Sequence, residues 1–191
     1  MGEVITYAYT VFSIVYSGFV LVGTIATPND PVFLILNVLL SLLSLIVFIP
    51  LVVFYCMWIY RCSLNCHYIQ GAPLNTSPGM AVGWYFIPFA NIWMPFPDMK
   101  EIWGVTFKGE DSSIVGWWWG VWVFGGIFGG LIAGGISFSK EMGALEGSVA
   151  NSLLVGSSIL SSVILITGCV LIVKIISRIT AAHEEFAGGR I

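Results

Sequence analysis

Polar residues are so sparse along this chain that four apolar runs stand out, at about 4–26, 32–60, 114–138 and 152–176. Each meets the roughly 20-residue length that a helix needs to cross the hydrocarbon core of a bilayer. The first run carries only hydroxyl side chains as polar groups, and no basic stretch precedes it, so it reads as a retained span and not a cleaved leader. Between the first two runs, Thr27–Pro31 predicts a tight turn, with Asp30 as N-cap and Pro31 at the first helical position. The second run continues past the length of one crossing toward Arg61 and contains Pro50, which predicts a tilt, a kink or an extension beyond the membrane. Asp111, Ser112 and Ser113 form a capping signal for the third run. A short loop leads to the fourth, and a polar tail closes the chain from Ser177. The pattern predicts an all-α integral membrane protein of about four transmembrane helices, folded as one polytopic domain over residues 1–191.

Between the second and third runs the pattern changes. Residues 81–107 are rich in apolar side chains, yet Pro88, Pro95 and Pro97 interrupt them. Each proline removes a backbone donor and disfavours helical geometry in the residue before it. Broken helix at membrane depth survives only where protein or a wet cavity covers it. This segment is therefore expected to be re-entrant, a kinked short span, or an amphipathic piece lying in the interface.

Composition strengthens the membrane reading: 58% of residues are apolar and 9% charged, against about 25% charged in a soluble domain. The net charge of −3 is scattered, and no basic stripe suits nucleic acid. The basic residues set an orientation. With both termini cytoplasmic, Arg61, Lys100, Lys108, Lys174, Arg178 and Arg190 lie inside and only Lys140 lies outside. A bacterial inner membrane is the expected location. All eight tryptophans (Trp58, Trp84, Trp93, Trp103, Trp117, Trp118, Trp119 and Trp122) then fall at or near the cytoplasmic interface, where an indole buries its ring and still hydrogen-bonds. That reads as an anchoring belt, or as an aromatic pocket for a lipid headgroup or cationic ligand.

The central segment also carries a resemblance. Trp58, Tyr60, Arg61 and Asn65 are followed by Gly71 and then by Ser77, Pro78, Gly79, Ala81, Val82, Gly83, Trp84, Phe86, Ile87, Pro88, Asn91 and Pro95, with Met99, Glu101 and Trp103 beyond. This series resembles the bacterial membrane family described as domain of unknown function 4328, and the tail from Lys174 to Glu185 is similar to that family's end. The stretch Met94–Lys100 departs from it, because members commonly carry a basic residue and a single proline there. The resemblance implies architecture and brings no reaction, ligand or cofactor.

Gly126, Gly130 and Gly134 recur at spacings of four, which places them on one helical face where a second backbone can approach. That face suits packing of the third and fourth spans on one another, self-association, or a glycine-lined pore. Cys62, Cys66 and His67, with His183 on the same membrane side, supply a loose set of zinc-ligand types. Without a second paired motif they read as reduced thiols, and no metal or cofactor is expected. No Asp, Glu, His or Arg interrupts the middle of a span, which argues against ion-coupled transport and intramembrane hydrolysis. No nucleophile–base pair or phosphate loop is present in the sequence, and no catalytic residues are assigned.

These observations favour a non-enzymatic accessory or regulatory subunit of a membrane assembly, with membrane lipid and other subunits or further copies as partners. A small channel or carrier lined by the broken segment is the alternative, and a lipid headgroup-binding or lipid-acting protein is the third reading. The polar residues of the central motif are the candidate site. Arg61 and Asn65 share a helical face, and Asn91 sits between two prolines in an apolar stretch. The three are expected to converge, with Glu101 as the carboxylate that balances Arg61.

Overall fold

Pro31 opens the first described helix, as its fixed φ and missing N–H allow. The computed structural model describes residues 31–69 and 74–189, together with Val15. The first expected span, the Asp30 cap and Gly71 lie outside these residues, Val15 apart. Helix α1 runs Pro31–Ile69 with Pro50 inside it. Proline cannot donate to the carbonyl one turn back, so the ladder is broken at that position. Two short pieces follow, α2 (Pro78–Gly83) and α3 (Pro95–Thr106), separated by 3-10 turns at Trp84–Phe86 and Ala90–Ile92. Helix α4 (Ser113–Val123) passes through a π-helical turn, Phe124–Phe128, into α5 (Gly129–Glu141). Helix α6 runs Gly147–Gly188. Among the described residues every regular element is a helix.

Three helical stretches are long and apolar enough to cross a membrane: Leu45–Tyr68, Ser113–Glu141 and Gly147–Gly188. They correspond to the second, third and fourth apolar runs. One boundary moves. The polar tail expected from Ser177 is helical as far as Gly188, because Ile172, Ile175, Ile176, Ile179 and His183 recur every three or four residues and all are buried. The central segment is broken into turns and short helices around Pro88, whereas Pro95 and Pro97 lie in the first turn of α3.

The chain gathers into two compact units. One contains Pro50–Trp119 and Val170–Ile191. Its core is built on Trp103, Met99, Val115, Ile175 and Ile179, all at most 2% exposed. The other contains Gly120–Cys169 and the described residues up to Ile49. Here the close approaches fall at Gly125, where an added Cβ would collide with Ile164, and at Gly129, where it would sit 3.3 Å from Ser161 Oγ. The expected packing face, Gly126, Gly130 and Gly134, meets nothing within 4 Å among the described residues.

The tryptophans divide by burial. Trp58, Trp103 and Trp118 are core residues, 8%, 0% and 5% exposed. Burial is tolerable for two of them because their indole N–H groups find acceptors inside the protein: Trp58 donates to Thr180 Oγ1 and Trp103 to the Asp111 carbonyl, both at 3.1 Å. Trp93 and Trp117 are exposed, and Trp84 is half-buried.

Candidate functional site

Within the first unit, three helices meet around one imidazole. His183 comes from α6, Asn65 and Cys66 from α1, and Thr106 from the last turn of α3. The Thr106 hydroxyl donates to the Ile102 carbonyl one turn back, at 2.7 Å. Its only proton is thereby used, so at 3.1 Å the His183 Nε2–H must donate to Thr106 Oγ1. Nδ1 is then the acceptor for the Asn65 amide, at 3.4 Å. The hydrogen-bond pattern thus assigns the neutral Nε2–H tautomer. The Cys66 thiol lies 3.9 Å from Thr106 Oγ1 and 4.0 Å from His183 Nε2. Cys66, Thr106 and His183 are all buried, and so is Ser63, whose hydroxyl has no partner among the described residues.

A second layer of contacts ties the same elements together. The guanidinium of Arg178 stands 4.9 Å from the Trp103 ring and 5.2 Å from Phe107, and lies 3.7 Å from Glu110. Cation–π attraction of this kind holds an arginine against aromatic faces at the end of a helix. Asp111 accepts from the Ser113 N–H and hydroxyl, capping α4 as expected, and these bonds hold its carboxyl below the usual range. On the other side of α3, Glu101 accepts two bonds from Asn75, and Asp98 accepts the Thr76 hydroxyl at 2.7 Å. Burial pushes the Asp98 carboxyl up; the Thr76 bond opposes this and nearby Glu101 adds to it. Tyr85 meets Tyr55 hydroxyl to hydroxyl at 3.1 Å with their rings edge to face.

The residues expected to converge take different partners. Asn65 bonds to His183 and Glu101 to Asn75. The Asn91 Oδ1 is buried and accepts from no group among the described residues, so neither Arg61 nor Asn65 donates to it. Arg61 is exposed on α1. Of the loose zinc-ligand set, Cys66 and His183 come together, but His67 donates through Nδ1 to the Ser63 carbonyl of its own helix, at 2.9 Å. Among the described residues no group of three such ligands stands close enough to hold a metal. Thr106 was invisible as a site residue because its partners are 40 and 77 positions away. The apolar stripe that carries His183 was the signal that could have placed it inside.

Fold and site together define a helical protein with three membrane-capable helices and a buried polar bridge joining α1, α3 and α6. The family model described as domain of unknown function (DUF4328) matches residues 33–188, and the chain belongs to that family. No curated protein and no solved structure matches it.

Proposed function

We propose that this chain is a non-enzymatic polytopic membrane protein that serves as an accessory or regulatory subunit of a larger assembly in a bacterial inner membrane, with both termini cytoplasmic. One observation carries the reading. The polar groups of Asn65, Cys66, Thr106 and His183, the last three buried, bond to one another and pin three helices, so their chemistry is spent on holding shape. A rigid end-piece of this kind suits recognition more than turnover. The broken backbone between α2 and α3 supports the second reading, a small channel or carrier lined by that segment. Purification of the tagged chain from native membranes in mild detergent separates the two. A stoichiometric membrane partner is the result expected. A homo-oligomer that conducts in planar bilayers and brings down no partner would favour the channel and overturn the proposal.

A further inference from the structure

Between positions 84 and 94 every exposed side chain is apolar, and those able to hydrogen-bond, Trp84, Tyr85 and Asn91, are half-buried. Phe86, Phe89 and Trp93 stand out furthest, at 66%, 89% and 75% exposed. An exposed apolar patch of this kind marks a surface that something covers. The same stretch is short of backbone donors. Pro95 and Pro97 cannot supply the bonds that a helix would bring to the carbonyls of Asn91 and Trp93, four positions back.

Contacts within the same unit fix the level of these turns along the helices. Trp58 bonds to Thr180 and Asn65 to His183, so α1 and α6 ascend together past this point. Cys66 is level with His183, and Arg61 and Arg178 each stand five positions earlier, at one height about 8 Å below. Both arginines are exposed, so that height marks the polar margin of the membrane. Tyr55 lies six positions before Arg61, about 9 Å deeper, and its hydroxyl meets that of Tyr85 at 3.1 Å. Helix α3 leads to the same depth. Thr106 bonds to His183 and Trp103 lies against Arg178, so α3 also ascends, and Pro95 is eleven positions, about 16 Å, below Thr106. By either helix the turns lie about 9 Å below the two arginines, on the side of the membrane interior.

Of a bilayer about 40–45 Å thick the hydrocarbon core takes about 30 Å, which leaves about 5–8 Å of headgroup layer on each face. The turns therefore pass the headgroups and stop far short of crossing. Broken backbone left uncovered is excluded from the middle of the core. At the boundary, water still reaches its carbonyls and aromatic rings are at home. We infer that the turns between α2 and α3 dip into one leaflet, with Phe86, Phe89 and Trp93 seated at the junction of headgroups and acyl chains, and that lipid is what covers this surface. This placement rests on the chain's spanning a membrane, and it holds whether or not the chain serves a larger assembly.

The test uses the full chain in vesicles of phosphatidylcholine and phosphatidylglycerol, with the four native cysteines replaced by alanine and a nitroxide attached to one new cysteine at a time. The substitutions are Phe89→Cys and Trp93→Cys in the turns, Ile46→Cys on the span and Glu184→Cys beyond the polar bridge. All four positions are exposed, so the labels displace no core. Electron spin resonance compares collisions with oxygen, which concentrates among acyl chains, and with a water-soluble nickel chelate, and so gives each label its depth. Positions 89 and 93 should lie about 5–10 Å below the phosphates, and position 184 in water. A label at 89 as open to nickel as that at 184, or shielded from both reagents by protein, or seated near the bilayer centre, overturns the inference. A label at 46 that reads as water would overturn the membrane reading itself, and is told apart from the other failures by its position.

Discussion

Thr106→Val replaces a hydroxyl by a methyl of nearly the same shape at the centre of the polar bridge. The substitution deletes the acceptor of the His183 Nε2–H and leaves that donor at a site where the histidine is 8% exposed. A buried donor left without a partner costs about 1–3 kcal/mol. The lost bond to the Ile102 carbonyl adds little, because the helix ladder still serves that carbonyl. The net destabilisation should therefore be about 2 kcal/mol. His183→Leu also empties the bridge, and in that background Thr106→Val should be nearly neutral, since no imidazole N–H remains to be orphaned. A double-mutant cycle measured by reversible unfolding in detergent should give a coupling energy of about 1–2 kcal/mol between the two positions. Additive effects, or a Thr106→Val cost below about 0.5 kcal/mol, the ordinary range for a site away from such features, would refute the bridge as a source of stability.

The remaining expectations concern Asp98 and the glycine contact. Burial raises the Asp98 carboxyl above an ordinary aspartate. Its contribution to stability is therefore complete below about pH 4 and declines as pH rises through the native value. Asp98→Asn should remove that decline, so superimposable stability–pH profiles for variant and parent would contradict the assignment. At Gly125, a Cβ would collide with Ile164. Gly125→Ala should cost about 1–3 kcal/mol by overpacking, and a second change, Ile164→Ala, should recover part of the loss. Gly130→Ala, which meets open space among the described residues, should stay within about 0.5 kcal/mol in the same unfolding assay.

Much of the fold is legible because membrane helices are written in run length. Residues 114–138 and 152–176 are apolar for longer than any turn allows, and Pro88 marks in advance a place where helix cannot continue, while Pro95 marks where the next one starts. Asp111 reads as a cap because its carboxylate acts on the backbone two residues away, a local effect. The polar bridge obeys no such local rule. Asn65 and His183 stand 118 positions apart, and whether they meet depends on how α1 and α6 pack. Grouping Arg61 with Asn65 by helical face located the right helix and missed the partner. The burial of Trp103 is illegible for a related reason. An indole suits an interface or a core equally well, and the deciding acceptor, the Asp111 carbonyl, belongs to a loop whose position the sequence does not reveal.

In the proposed topology α6 crosses a membrane once and returns the C-terminus to the cytoplasm. Single cysteines at Glu146 and Gly189, in a background where the four native cysteines are alanine, test it with a membrane-impermeant thiol reagent applied to intact cells. These positions flank Gly147–Gly188. External labelling is expected at position 146 and none at 189 until the cells are opened. External labelling at 189, or at both positions, would contradict it.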